Sequence, residues 1–281
     1  MALFISSIAS GSNGNCYYIG TATEAVLVDV GISCREVEQR MQKLGLSLTH
    51  VKGIFISHEH SDHIQGVAVL ARKYNLPVYI TTPTLQFGRL RLTGHPVFSF
   101  QHGEAVSVGA LTITPFSKAH DEADPYSFVV AYDGINVGVF TDIGTPCAHL
   151  VRHFSTCHAA FLEANYDEQM LLQGAYPAHL KARIRGGRGH LSNKQALELF
   201  KTHKGTHMSH LVLAHLSKNN NCPELVANLF GAHAAGTHVV VAPRYEATAV
   251  YTITATAASM QAPTAPAPHY HRSAAQLELA F

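Results

Sequence analysis

The sequence predicts a mixed α+β domain whose strand tips deliver polar side chains to a common crevice. Three observations predict it. Gly53-Ile54-Phe55-Ile56-Ser57 is a short apolar run that ends in His58-Glu59-His60-Ser61-Asp62-His63 and then opens into a helix-like stretch over 64–70. The same unit, an apolar run followed by polar residues, recurs over 158–167 and 211–215. Residues 127–132 and 134–142 read as a hairpin turning at Asp133-Gly134. A strand end that opens into a helix is a common place to display side chains into a crevice.

Composition sets the bounds. With 281 residues, 47% of them apolar, one large domain can bury a full core without disulfides. A formal net charge of +1 does not mark a nucleic-acid binder, so any such binding has to come from a local patch. Cys16, Cys34, Cys147, Cys157 and Cys222 are scattered and form no C-x-x-C pair, which reads as free thiols in a reducing cytoplasm. No basic region followed by a long apolar run opens the chain, and no apolar stretch reaches membrane-spanning length. A soluble cytoplasmic protein without a membrane partner is therefore expected.

In chain order, residues 3–8 read as the first strand. Ala9-Ser10-Gly11-Ser12-Asn13-Gly14-Asn15 follows, a turn dense in exposed donors. Ser12 and Asn15 are its substrate-facing candidates, and an ordinary hairpin turn is the plainer reading. Residues 16–19 and 25–29 are the next strands, and 36–44 a helix. Asp29 either orients a metal-bound histidine or caps the turn after its strand. Residues 76–80 read as a strand, Pro83 begins a short helix, and residues 97–114 alternate as antiparallel strands do. Asp142 closes a nearly continuous apolar strand, where an unpaired buried carboxylate would be costly. Residues 143–146 start a helix.

Residues 167–189 read as a helical, basic stretch. A charge run is usually a solvated face, but Lys181, Arg183, Arg185 and Arg188 adjoin Gly-rich turns and His190, so they are candidates for binding phosphate. Ser192 or Asn193 caps a helix over 194–201, Pro223 begins another, and residues 238–242 form a last strand. Residues 1–252 are assigned to one domain, 253–275 to a flexible Ala/Pro-rich linker without a core, and 276–281 to a terminal peptide.

His58, His60, Asp62, His63, His120, Asp142 and His215 offer only nitrogen and oxygen donors. Imidazole with carboxylate suits zinc, manganese or iron. Structural zinc sites are usually closed and rich in cysteine, so this set fits two divalent metal ions with open positions. The chain has 20 histidines, which makes a solvated or core cluster the bland reading; four ligand-type residues sharing one turn argue against it.

His58-x-His60-x-Asp62-His63, with Lys118-Ala119-His120-Asp121 further on, resembles the signature of the metallo-β-lactamase-fold hydrolases. The resemblance implies an αββα four-layer sandwich, two mixed sheets flanked by helices, with the metals between the sheets. It also implies that His58, His60 and His120 hold one metal, that Asp62, His63 and His215 hold the second, and that Asp142 bridges both. An aspartate at the bridging position is the pattern of phosphodiester and thioester hydrolases; β-lactam hydrolases of the fold commonly carry cysteine there. Two cations lower the pKa of a shared water. The expected nucleophile is the bridging hydroxide, which Asp62 helps to orient, and His190 is the candidate that protonates the leaving oxygen.

Ser10-Gly11-Ser12-Asn13-Gly14-Asn15, Thr141-Asp142-Ile143-Gly144, Glu163-Ala164-Asn165-Tyr166-Asp167, Gly189-His190-Leu191-Ser192-Asn193 and His215-Leu216-Ser217-x-Asn219-Asn220 further resemble the WalJ/YycJ-type subfamily. That resemblance covers about residues 3–250 and implies a DNA exonuclease acting from the 5′ end. The final Gln276-Leu277-Glu278-Leu279-Ala280-Phe281 resembles the peptide by which bacterial DNA-processing proteins dock on the replicative sliding clamp. Leu277, Leu279 and Phe281 would fill a groove and Gln276 would anchor it. Two other functions compete: a thioester or lactone hydrolase on the same scaffold, which the basic stretch and the tail argue against, and a non-catalytic clamp-binding scaffold, which the intact ligand set argues against.

Overall fold

The computed structural model describes residues 1–255. Residues 256–275 of the linker and the clamp-type peptide, including Gln276, Leu277, Leu279 and Phe281, lie outside the described residues. Two mixed seven-stranded sheets stack face to face, with helices on both outer surfaces. This is the expected αββα sandwich.

The first sheet takes β1 (Ala2–Ala9), β2 (Cys16–Gly20), β3 (Ala25–Val28), β4 (Val51–Phe55), β5 (Val78–Tyr79) and β6 (Val97–Phe98). The second takes β7 (Val106–Val108), β8 (Leu111–Ser117), β9 (Tyr126–Tyr132), β10 (Ile135–Phe140), β11 (Ala159–Glu163), β12 (His210–Ala214) and β13 (His238–Val241). β14 (Tyr251–Thr254) returns to the first sheet as the antiparallel neighbour of β1. Each sheet is antiparallel at one side and parallel at the other: β3 to β6 run parallel, as do β10 to β13.

Burial on both faces explains why these strands read as nearly continuous apolar runs rather than alternating ones. Leu3, Ile5, Tyr17, Val26, Val28 and Phe55 point inward and meet Phe128, Val130, Phe161 and Val212 of the other sheet. Their alternates, among them Tyr18, Leu27, Ile54 and Ile56, point outward under α1 (Cys34–Lys43), α2 (Ser61–Ile64), α3 (Val67–Tyr74) and α4 (Thr82–Phe87). The second sheet's outer face packs Phe140, Ala160, Leu162, Leu211 and Leu213 under α5 (Ala148–Ser155) and under the helices over Asn193–His203 and Pro223–Gly231.

The remaining helices are α6 (Glu168–Gln173), α7 (Ala178–Arg185), α8 (Asn193–His203) and α9 (Pro223–Gly231). Ser33 with Glu36, and Ser192 with Gln195, form capping boxes that start α1 and α8.

Several sequence expectations need correction. The basic stretch over 167–189 is two short helices, because Gly174 and Pro177 interrupt it. Residues 64–70 likewise hold a break: α2 and α3 are separated at Gln65-Gly66, where a Cβ on Gly66 would lie 2.1 Å from the Ile32 carbonyl oxygen. β6 pairs parallel with β5 in the first sheet and is not part of an antiparallel series with β7 and β8. β14 runs across the boundary drawn at residue 252. Its partner β1 is far away in sequence, so local composition carried no sign of the pairing.

Candidate metal centre

The site is built from strand ends. Asp29 follows β3, the His58–His63 turn follows β4, His120 follows β8, Asp142 follows β10, Glu163 ends β11, and His215 follows β12. Asp29, Asp142 and His215 have positive φ, at 60°, 56° and 56°. For non-glycine residues this costs about 1–2 kcal/mol each. The turn it produces swings each side chain off its strand and into the space between the sheets. Backbone contacts lock the loops together: Asn15 N–H donates to the Asp62 carbonyl at 2.7 Å, Gly31 N–H to the Asn15 carbonyl at 2.8 Å, and Val30 N–H to the His63 carbonyl at 2.9 Å.

All seven predicted ligand residues come together. The ligand atoms of His58, His60 and His120 lie within 4.8 Å of one another, as do those of Asp62, His63 and His215, and those of His58, His63 and Asp142. Asp142 lies between the two triads, with Oδ2 3.3 Å from His63 Nε2 and Oδ1 4.0 Å from His120 Nε2.

Each histidine has one ring nitrogen tied to the protein and the other turned inward. His58 Nδ1 meets Ser57 Oγ at 2.9 Å. His60 Nε2 pairs with Glu122, leaving its Nδ1 3.0 Å from His58 Nε2. His63 Nδ1 donates to Asp29 Oδ2 at 2.8 Å, His120 Nδ1 to the Gly189 carbonyl at 3.0 Å, and His215 Nδ1 to Glu163 Oε1 at 2.9 Å. Such partners fix ring orientation and tautomer at metal sites. His120 Nε2, His215 Nε2 and Asp142 Oδ2 are buried without a hydrogen-bond partner among the described residues. Unsatisfied buried polar atoms cost about 1–3 kcal/mol each. The donor set and these three orphaned atoms therefore suit two divalent cations.

The electrostatics agree. Burial pushes His58 well below the usual imidazole range and His120 down to about 4, so both nitrogens are neutral donors. Burial works against charge on Asp142, yet His215, His63, His58 and Lys118 hold its carboxyl well below the carboxylate range. Burial also opposes protonation of His63 and His215, but Asp142 and the neighbouring carboxylates outweigh it and raise both. Binding of cations would displace those protons.

The structure decides between the two readings of Asp29 and adds Glu163 and Lys118, which sequence reasoning left without a role. Asp29 is completely buried and accepts from Ser57 N–H at 2.8 Å, Ser57 Oγ at 2.7 Å and His63 Nδ1. It thus both orients a histidine and ties its turn down. Glu163 receives His190 Nδ1 at 2.8 Å and His215 Nδ1 on one oxygen, and the Ile143 and Leu191 N–H groups on the other. A carboxylate ending an apolar strand was the available signal, the same one that singled out Asp142. Lys118 is buried and donates to the Thr141 carbonyl at 2.7 Å, behind Asp142.

The substrate-facing expectations fare differently. Asn15 is fully buried, with Oδ1 accepting from Gly11 N–H and Tyr17 OH, and Nδ2 against Asp62 Oδ2 and His63 Nε2. It positions ligands and does not face solvent. Ser12 accepts from Arg244 at 3.2 Å. Lys181 Nζ is bonded to the Leu172 carbonyl, and Arg183 Nε pairs with Asp121. Arg185 lines an open cavity of about 920 Å³ with Tyr166, Lys194 and Glu198. Arg188 is exposed and forms no ion pair among the described residues. His190 is brought beside the centre, its Nδ1 3.8 Å from Asp142 Oδ1.

Residues 24–216 match the family described as beta-lactamase superfamily domain. The chain is 35% identical over 228 residues to exodeoxyribonuclease YycJ of Bacillus anthracis, covering 80% of this chain and 86% of that one. It is 33% identical over 227 residues to exodeoxyribonuclease WalJ of Streptococcus pneumoniae, covering 78% and 84%. The metallo-β-lactamase-fold protein YhfI of Bacillus subtilis superposes with a TM-score of 0.68 at 17% identity, over 90% of this chain and all of that one.

Proposed function

The chain belongs to the β-lactamase superfamily domain family, with close homology to the WalJ/YycJ-type exonucleases, and from that premise we propose that it is a metal-dependent phosphodiesterase, a 5′-to-3′ DNA exonuclease. The observation that carries the reading is the inward convergence of His58, His60, Asp62, His63, His120, Asp142 and His215, with buried donor atoms left open at its centre. The relatives named as exodeoxyribonucleases support DNA as the substrate.

His58, His60 and His120 would hold one cation, Asp62, His63 and His215 the other, with Asp142 shared. When bound, two divalent cations supply an activated water and neutralise charge building on a phosphoryl group. Asp62, only partly buried, faces the centre from the solvent side and would orient the attacking group. His190 is partly exposed, and Glu163 holds its Nδ1–H. Its Nε2 is left to carry a proton to the leaving oxygen. Of the four predicted phosphate ligands, Arg185 and Arg188 are the two that make no side-chain hydrogen bond or ion pair among the described residues.

The test uses DNA labelled at the 5′ or the 3′ end, single- and double-stranded, with zinc, manganese or iron supplied in turn. Release of the 5′ label ahead of shortening from the 3′ end is expected, and Asp142→Ala abolishes it. Turnover of lactones or thioesters without DNA hydrolysis would overturn the assignment. The terminal peptide would dock the enzyme on the replicative sliding clamp in the cytoplasm, raising its concentration at DNA. Failure of a peptide of residues 276–281 to bind purified clamp would remove that part. Among the described residues no helix is long and apolar enough to cross a membrane.

A further inference from the structure

We infer that Arg244 and Tyr245 form a receiving site for single-stranded DNA beside the metal centre, the Arg244 guanidinium taking a backbone phosphate and the Tyr245 ring stacking a base. The inference rests on the nuclease reading above and names where that substrate is held. Arg244 follows β13 and is half-buried. Its Nη1 donates to Ser12 Oγ at 3.2 Å and to Asn13 Oδ1 at 2.6 Å, and its Nη2 donates to the Leu216 carbonyl. Every one of these acceptors is neutral. Among the described residues no carboxylate pairs with Arg244; Glu246, two residues on, is exposed and makes no ion pair with it.

The position matters as much as the charge. Leu216 directly follows His215, and Ser12 and Asn13 belong to the loop whose Asn15 touches Asp62 and His63. The guanidinium therefore spans the two loops that border the Asp62, His63 and His215 half of the centre. Gly11, at φ +115°, lets the loop backbone come this close: a Cβ there would lie 2.8 Å from Arg244 Nη1. A half-buried cation with only neutral partners lacks the counter-charge that a phosphate oxygen supplies with good guanidinium geometry. Next in the chain, Tyr245 leaves 63% of its surface in solvent, an unusual exposure for a large ring. A cation with an adjacent open aromatic face is the chemistry that holds single-stranded nucleic acid. By contrast Lys181 and Arg183 of α7 are already engaged within the protein.

The experiment compares the metal-loaded full chain with its Tyr245→Ala, Arg244→Gln and Arg244→Lys variants on a labelled oligonucleotide and on bis(p-nitrophenyl) phosphate. Tyr245→Ala should weaken oligonucleotide binding about tenfold, the effect of one lost stacked base. Its loss should appear in KM rather than kcat and exceed any loss on the small diester. Arg244→Gln should lower the salt slope of oligonucleotide binding by about one phosphate contact, and Arg244→Lys should restore the slope. Equal losses on both substrates with an unchanged salt slope would reduce Arg244 to a clip between loops and overturn the inference. So would oligonucleotide affinities that match the parent while the parent hydrolyses DNA. Failure of the parent itself to bind or hydrolyse DNA would instead sink the nuclease reading, and this site with it.

Discussion

Replacing Glu163 by glutamine probes the hydrogen bonding that supports the site. The carboxylate is completely buried and receives four donors: His190 Nδ1 at 2.8 Å and His215 Nδ1 at 2.9 Å on Oε1, and the Ile143 and Leu191 N–H groups at 2.8 and 3.1 Å on Oε2. Burial opposes its charge, yet His190 and His215 hold it down to about 2. Glutamine has one acceptor oxygen, so whichever way the amide turns, its NH2 meets two donors. Two hydrogen bonds to a charged acceptor are lost, about 1.5–3 kcal/mol each, where a whole domain is stable by about 5–15 kcal/mol. An imidazole could escape the clash only by moving its proton to Nε2, which would cost His215 its inward donor. We expect the unfolding free energy from urea titration at neutral pH to fall by at least about 3 kcal/mol. On the proposed reading, in which Glu163 orients His190 as general acid, DNA hydrolysis by the remaining folded protein should drop about a hundredfold or more. A urea midpoint and a turnover equal to the parent's would refute the four-donor account.

Three further outcomes follow from named contacts. Asp29→Ala removes the acceptor of His63 Nδ1 and should weaken metal affinity about 10–100-fold, read by competition with a chromogenic chelator. Gly31→Ala would set a Cβ 1.6 Å from the Asp62 carbonyl oxygen, so the loops must part; thermal melting should show a loss of more than about 3 kcal/mol, beyond ordinary overpacking. His158 and His153 are each pushed down to about 4 by burial, helped by His207 and by Arg152. Between their ordinary value of 6.5 and about 4 the unfolded chain therefore binds protons that the fold refuses. Stability should be full above pH 6.5 and decline as pH falls toward 4. Asn136 N–H donates to His158 Nδ1 at 3.1 Å, and that bond is lost on protonation. A His158→Gln variant should show a shallower decline in urea midpoint between neutral and mildly acidic pH.

Much of the site was legible because metal chemistry constrains residue type and local order together. The His58–His63 turn, His120 after β8, Asp142 after β10 and His215 after β12 each show as a polar break at the end of an apolar run. The role of Glu163 was hidden, because a buried carboxylate accepting from a histidine looks in sequence like any acid ending a strand, and for the same reason Asp29 stayed open between orienting a histidine and capping its turn. Arg244 was missed for a plainer reason: its partners Ser12 and Asn13 lie at the opposite end of the chain. Within the basic stretch over 167–189 the four cations looked alike, since nothing local shows that Arg183 pairs with Asp121.

By itself, the sequence determined which side chains can bind metal and that the strands leading to them are nearly continuous apolar runs ending in polar residues, since these follow from residue type and short-range order. Tertiary structure alone decided which ring nitrogen each histidine turns inward, which polar groups are left open at the centre, and which cations are already paired. Those depend on contacts between residues far apart in the chain, and on left-handed turns at Asp29, Asp142 and His215 that only the packed sheets hold in place.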